Sequence, residues 1–490
     1  MFLFSSLQAV AHSGMFPDSF QYDNANEGRA PVEVKLSAQA VSSSVQIEPA
    51  MACIDGLAGD YPCRNIHLKS LLRAADMNAL GGSLNDVWGW TDSVSAMEVA
   101  IVGREGGTSF VDVSDPQAPV FLGYLPGHGS GRDSWRDIKV YQDVAFIVAD
   151  GSSNSTHGLQ IFELTQLRHV SPGSTLTESA HLAGAGAAHN VAINEDSGFA
   201  YVVGSDQCSR GLYMVDISDP LSPSFAGCFS SDGYTHDAQC VTYQGPDTRY
   251  FNREICIAYN EDSITIVDVT DKANPVQLSR ETYPGSQYTH QGWFLSDNHS
   301  YLVMNDELDE RLTGAKTTSY LYDVSLLTDP RLTGTYVAQS NAIDHNLYTR
   351  DNYVFESNYR SGLRILDASQ ILSGQLSEKA YFDTIPCSDS AQFSGSWSSY
   401  IYFPSGNVVT SDIGTGLFVL EPDWDAINDP ANVSSAAPSI SPVCENSNAG
   451  VVGSSGSSGS GGGGSLHWVG LLVLLGVWLR RSKQQMICVK

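Results

Sequence analysis

The chain has 490 residues and a net charge of −28, from 26 Lys and Arg against 54 Asp and Glu. That balance excludes a nucleic-acid binder, which needs a basic face, and fits a solvated extracellular protein or one that attracts cations. Nine cysteines without a Cys-x-x-Cys pair argue against a zinc ribbon and for disulfides in an oxidising compartment.

Residues 1–11 are apolar and end in Ala9-Val10-Ala11, a small-x-small cleavage pattern. They read as part of a signal peptide whose start lies upstream, with an ordinary apolar N-terminus as the alternative. Residues 12–50 are polar and weakly patterned, a loose leader. Residues 51–84 are expected to form a small disulfide-stapled cap. Within it Cys53 and Cys63 bracket a Gly-containing loop, and His67-Leu-Lys-Ser-Leu-Leu-Arg-Ala-Ala75 suits one short helix.

Residues 85–423 carry a repeat. Phe110-Val-Asp-Val-Ser-Asp-Pro116 returns as Met214-Val-Asp-Ile-Ser-Asp-Pro220 and Ile266-Val-Asp-Val-Thr-Asp271, with looser copies elsewhere. The acidic positions are Asp112, Glu163, Asp216, Asp268, Asp323, Asp367 and Glu421, at steps of 51, 53, 52, 55, 44 and 54 residues. A second apolar run, such as Ala145-Phe-Ile-Val-Ala149, precedes each copy by about a dozen residues. Short β-branched and aromatic runs bounded by Gly, Asp, Asn and Ser predict strands. A period near 50 residues has room for four of them, one blade of a β-propeller. The predicted fold is all-β, a seven-bladed β-propeller with an N-terminal cap and a C-terminal hydrophobic helix. The recurring acidic residue, beside a Ser/Thr-Asp turn, is expected to cap local backbone donors.

Beyond the repeat, residues 424–465 form a Pro/Ser and then Gly/Ser linker. Leu466–Leu479 is an apolar stretch of 14 residues, short for a membrane span, and 480–490 is a basic tail. Linker, apolar helix and basic tail in that order read as a sorting signal, with a plain anchor as the alternative. Eight cysteines fall between residues 53 and 444, and Cys488 lies near the C-terminus. Their sequence neighbours are Cys53 and Cys63, Cys208 and Cys228, Cys240 and Cys256, and Cys387 and Cys444. Eight cysteines allow 105 pairings, so this connectivity is one choice among many. Gly245-Pro246-Asp247 marks a turn between Cys240 and Cys256, which favours that pair.

Two resemblances follow from these residues. The tail, from Gly463 and Gly464 through Arg480 and Arg481, resembles the Gly-Gly-type sorting signal of Gram-negative bacteria. That resemblance implies cleavage by a rhomboid-type sorting protease (rhombosortase), transient membrane insertion through the helix, and display on or release from the cell surface. The body, about residues 50–423, resembles the choice-of-anchor B family with its LVIVD-type repeats. The carrying phrases are Cys53 with Cys63, Asn85-Asp-Val-Trp-Gly-Trp-Thr-Asp92, Gly107–Pro116, Tyr234-Thr-His-Asp-Ala-Gln-Cys240 and Tyr288-Thr-His-Gln-Gly-Trp293. This resemblance implies a surface propeller and brings no settled activity.

A second periodic set carries the candidate chemistry. His189, His236, His290 and His345 stand ahead of the first strand in four consecutive repeats, at steps of 47, 54 and 55 residues. Trp90, Trp135-Arg136 and Trp397 hold the slot elsewhere. First strands line a propeller's channel, so these residues are expected at one mouth. Neutral imidazoles there suit Zn, Cu, Ni or Fe, with Asp237 and Asp344 as possible oxygen ligands to a divalent metal. The plainer alternative is that each histidine bridges neighbouring blades by hydrogen bonds. Asn305-Asp306-Glu307-Leu-Asp309-Glu310 could bind Ca²⁺, but lacks EF-hand spacing and reads better as a solvated acidic loop. No nucleophile elbow, phosphate loop or His-Glu-x-x-His is present. The favoured function is a surface module binding an unidentified ligand or protein. The alternatives are a metal-dependent hydrolase or oxidoreductase on the histidine ring, and a structural envelope protein.

Overall fold

The computed structural model describes residues 47–77, 82–128, 133–151, 156–432 and Cys444. The expected signal peptide (1–11), Gly463, Gly464, the apolar stretch 466–479, Arg480 and Arg481 lie outside these residues. The described strands form seven blades, antiparallel except where the two-residue strand Ser174–Thr175 runs parallel to Val120–Pro126. The innermost strands, in order, are Leu84–Thr91, Trp135–Tyr141, Asn190–Asn194, Asp237–Thr242, Thr289–Phe294, Leu347–Arg350 and Ser396–Tyr400. Each touches the next around a closed ring, and the last returns to the first.

The two apolar runs of each repeat are the second and third strands of a blade, such as Val144–Asp150 and Leu159–Glu163. Every blade is sandwiched between two others, so both faces of these strands are buried and the runs are continuously apolar. In Ala145-Phe-Ile-Val-Ala149 no residue is exposed. Ala145 and Ile147 pack toward blade one, and Phe146 and Val148 toward blade three.

The recurring acidic residue ends the third strand and accepts hydrogen bonds two residues on. Asp112 accepts from Ser114 N (2.9 Å), Asp216 from Ser218 N (2.9 Å), Asp268 from Thr270 N (3.1 Å), Asp323 from Ser325 N (2.9 Å) and Asp367 from Ser369 N (2.7 Å). These are Asx turns that lead the chain toward the outer strand. The repeat's signature is therefore a turn device.

The N-terminal segment is not a separate cap. Most of His67–Ala75, expected as a short helix, falls in the strand Ile66–Arg73, the outer strand of blade seven, paired with Gly416–Pro422. Tyr61–Arg64 pairs with the outer strand of blade six, Ser377–Phe382. Ile66, Leu68 and Ser70 are buried in alternation, the two-residue period of a strand, and Leu71 and Leu72 are both buried past a shift in register. Pairing along seven residues outweighs the modest helix preference of Leu, Lys, Arg and Ala. Disulfides join Cys53 to Cys63, Cys208 to Cys228, Cys240 to Cys256 and Cys387 to Cys444.

Candidate functional site

The four histidines stand at or just before the start of inner strands three to six and converge. Ring centroids are 4.4 Å apart for His189 and His236, 4.1 Å for His236 and His290, and 4.5 Å for His290 and His345. Aromatics continue the ring on both sides. Trp135 lies 5.9 Å from His189, and Trp397 and Tyr359 lie 4.8 and 4.5 Å from His345. In-phase residues of successive blades thus meet at one mouth.

Three of the four imidazoles also have a holding contact, His189, His236 and His345. His236 Nδ1 donates to the His290 carbonyl at 2.9 Å, and His345 Nδ1 donates to the Trp397 carbonyl at 2.6 Å. These bonds bridge adjacent blades and fix the tautomer, leaving Nε2 as the basic nitrogen. His189 Nδ1 instead faces Asp150 at 3.3 Å. Burial opposes charge on His189, but Asp150 outweighs it and holds the pKa above the ordinary value. Burial and the neighbouring imidazoles push His236 and His290 well below it. Burial takes His345 down to about 3. Three neutral imidazoles beside one more basic one is a ring suited to a cation or to hydrogen-bond acceptance.

The carboxylate that joins them is Glu307. Its Oε2 lies 3.7 Å from His290 Nε2 and its Oε1 lies 3.5 Å from His345 Nε2. Tyr359 Oη donates to Glu307 at 2.8 Å. One ligand atom from each of His290, Glu307 and His345 lies within 4.8 Å of the other two. Burial raises the Glu307 carboxyl to about 7. A metal held by these three would keep open positions, the arrangement of a site that also takes a ligand.

Two predicted oxygen ligands do not join. Asp237 and Asp344 are each next to a ring histidine, and adjacent residues of an extended chain point to opposite sides. Asp237 faces into the channel toward Lys139 and Asp137, and burial takes it up to about 7. Asp344 is buried among Glu310 and Asp309. Arg136 also turns away from the mouth. Its guanidinium donates to the Arg104 carbonyl (2.8 Å) and lies 2.7 Å from His157 Nε2, between blades one and two. Trp90 is spent between blades as well, with Nε1 donating to Asp143 at 3.0 Å.

The acidic run 305–310 is not a solvated loop. Asp306, Asp309 and Glu310 are buried, and only Glu307 reaches the mouth. Asp306 accepts from Tyr283 Oη (2.7 Å) and from the backbone N–H of Gln287 (2.7 Å) and Tyr288 (2.8 Å). That clasp sets the direction from which Glu307 enters.

A second concavity lies at the far ends of the inner strands. It has a volume of about 440 Å³ and is lined by Trp88, Trp293, Lys139, Gln239, Glu195 and Asp297, among others. Lys139 lies 4.6 Å over the Trp88 ring and donates to Asp137 at 2.6 Å, inside the channel. The Trp88-Gly89-Trp90 phrase has a packing cause. A side chain at Gly89 would strike the ring of Tyr400, which stacks edge-on to Trp88 at 5.3 Å.

The LVIVD repeat family matches residues 185–230 and 255–280, the span of blade three and most of blade four. No curated protein matches the chain. Among solved structures, the β-propeller domain of Myceliophteria thermophila Cps50 (Swd1) is similar at 12% identity and a TM-score of 0.42, over 66% of this chain and 93% of that one. A functionally unknown protein from Desulfotomaculum acetoxidans is similar at 13% identity and a TM-score of 0.43, over 63% and 87%. A protein from Lactobacillus plantarum gives 13% and 0.43, over 67% and 87%. The chain is a seven-bladed β-propeller that carries LVIVD repeats.

Proposed function

We propose that this chain is an exported, surface-displayed propeller that binds a ligand or partner at its histidine mouth. The observation that carries the reading is the convergence of four imidazoles from four consecutive blades on one carboxylate-bearing rim. Four disulfides favour an oxidising compartment, and the tail sequence has the order of a surface-sorting signal. A divalent transition metal held by His290, Glu307 and His345 is the group this rim suits best.

The test is metal analysis of the purified full chain beside a His236→Ala/His290→Ala double variant. About one transition-metal ion per chain, lost in the variant, supports a metal-bearing mouth. Metal-free protein in both cases, with unchanged Tm, sinks the metal and leaves binding to be sought with organic ligands. A second reading, a metal-dependent hydrolase or oxidoreductase, is favoured by the placement of Glu307 between two Nε2 atoms. It requires turnover that disappears in Glu307→Gln.

A further inference from the structure

A second set of metal-ligating side chains stands where blade one meets blade two. The outer strand of blade one, Val120–Pro126, runs on into His128. Ser174–Thr175 pairs with that strand, and Ala180–Leu182 is the outer strand of blade two. Glu178 lies between these two short strands and His181 within the second. One ligand atom from each of His128, Glu178 and His181 lies within 4.8 Å of the other two. His128 Nε2 is 2.6 and 2.5 Å from the two oxygens of Glu178. The His128 and His181 rings stack, with centroids 3.7 Å apart.

Two of the three are oriented from behind. His181 Nε2 donates to the His157 carbonyl at 2.7 Å, which leaves Nδ1 with the lone pair. Gln160 Nε2 donates to Glu178 Oε2 at 3.1 Å and to the Pro126 carbonyl at 2.9 Å. Two glycines make the room. A side chain at Gly158 would strike the His181 ring, and one at Gly127, just before His128, would strike the Arg136 guanidinium. Such supporting bonds to an imidazole and a carboxylate are what metal ligands carry. A proton shared by His128 and Glu178 explains that pair, but not the arrival of His181 as a third donor. Two imidazoles and one carboxylate form a three-ligand set that leaves zinc a fourth position. That position has space, because the set borders a concavity of about 270 Å³ lined by His128, Glu178, Gln160, Thr177, Leu125 and Leu176. The His128 and Glu178 side chains are 32 and 25% exposed, so an ion can enter. Bond lengths of about 2.0–2.2 Å put zinc ligands roughly 3–3.5 Å apart. His128 and Glu178 would therefore part by less than about 1 Å.

We propose that His128, Glu178 and His181 form a zinc site that pins blade one to blade two. Its open position, beside the concavity, takes water or a small anionic ligand. The site shares no residue with the histidine mouth and does not depend on it.

The test uses the full chain carrying His236→Ala/His290→Ala, which empties the mouth. This double variant is stripped with EDTA and dialysed against a small excess of zinc chloride. It should hold about one zinc ion per chain more than the same protein with His181→Ala added. Surface carboxylates that take zinc loosely are common to both and cancel in the difference. Glu178→Gln in that background should weaken zinc retention at least about 10-fold. Saturating zinc should raise the Tm of the double variant by about 3 °C or more and leave that of the His181→Ala protein unchanged. Without zinc the two Tm values should agree within about 2 °C. Equal zinc in the two proteins overturns the site and leaves His128 and Glu178 as an ion pair. If His181→Ala does not fold, Glu178→Gln decides, and undiminished zinc there overturns the site. Failure of the mouth reads differently: wild type and double variant then hold equal zinc, while the loss on His181→Ala still supports this site.

Discussion

His345 divides its two nitrogens between fold and site. Nδ1 ties blade six to blade seven through the Trp397 carbonyl, while Nε2 faces Glu307. The bridging that the sequence posed as the plainer alternative uses one nitrogen, and the binding proposed above would use the other. Glu307 has the opposite balance, because it takes part in no ladder. Glu307→Gln is therefore expected to leave Tm within about 1 °C while weakening transition-metal binding at least about 10-fold, read by metal titration. Asp92 shows what a purely structural carboxylate does. It has no exposed side-chain surface and is bridged twice by Arg168, at 2.9 and 2.6 Å. Those bonds hold its carboxyl well below the usual range. A depressed folded pKa contributes stability above the unfolded value of about 4, and that stability is lost as pH falls below it. Asp92→Asn should cost about 2 kcal/mol at pH 7, with the Tm curves of variant and parent converging as pH drops below about 4. The four histidines were legible in the sequence because they keep the repeat's phase. Glu307 was legible only as part of an acidic run and not as a neighbour of the ring, because it sits in an insertion that belongs to no phase.

Among elements, the strands were legible where both faces are buried, as in Ala145–Ala149, since an unbroken apolar run bounded by turn residues has few other uses. Phe146→Ala is expected to cost about 3–5 kcal/mol, seen as a lower midpoint in urea, because it empties space between blades two and three. The Asx turns are individually smaller. Asp216→Ala should cost about 1 kcal/mol by the same measurement, since it frees Ser218 N at a surface turn. Ile66–Arg73 was not legible. Its partner, Gly416–Pro422, is at the other end of the repeat region, and nothing within the segment records that distant edge. Asp237 and Asp344 misled for a local reason. Proximity in sequence to His236 and His345 places them on the opposite side of an extended backbone.

For the molecule as a whole, closure decides stability. Blade seven takes three strands from the end of the repeat region and its outer strand from the beginning. Deleting residues 47–73 would leave Gly416–Pro422 as a bare edge, and bare edges recruit other chains. The expected result is loss of a single cooperative melt and a shift to higher-mass species on size exclusion. The order of synthesis gives this arrangement a further consequence. Ile66–Arg73 is made long before its partner, so Leu72 must wait for Leu417 before it can pair. During synthesis the body is therefore a string of nearly complete blades without a last bond. Contacts this distant in sequence slow folding. A chain passed through a membrane in extended form could travel before its ring locks, and would lock only once both ends had arrived on the same side.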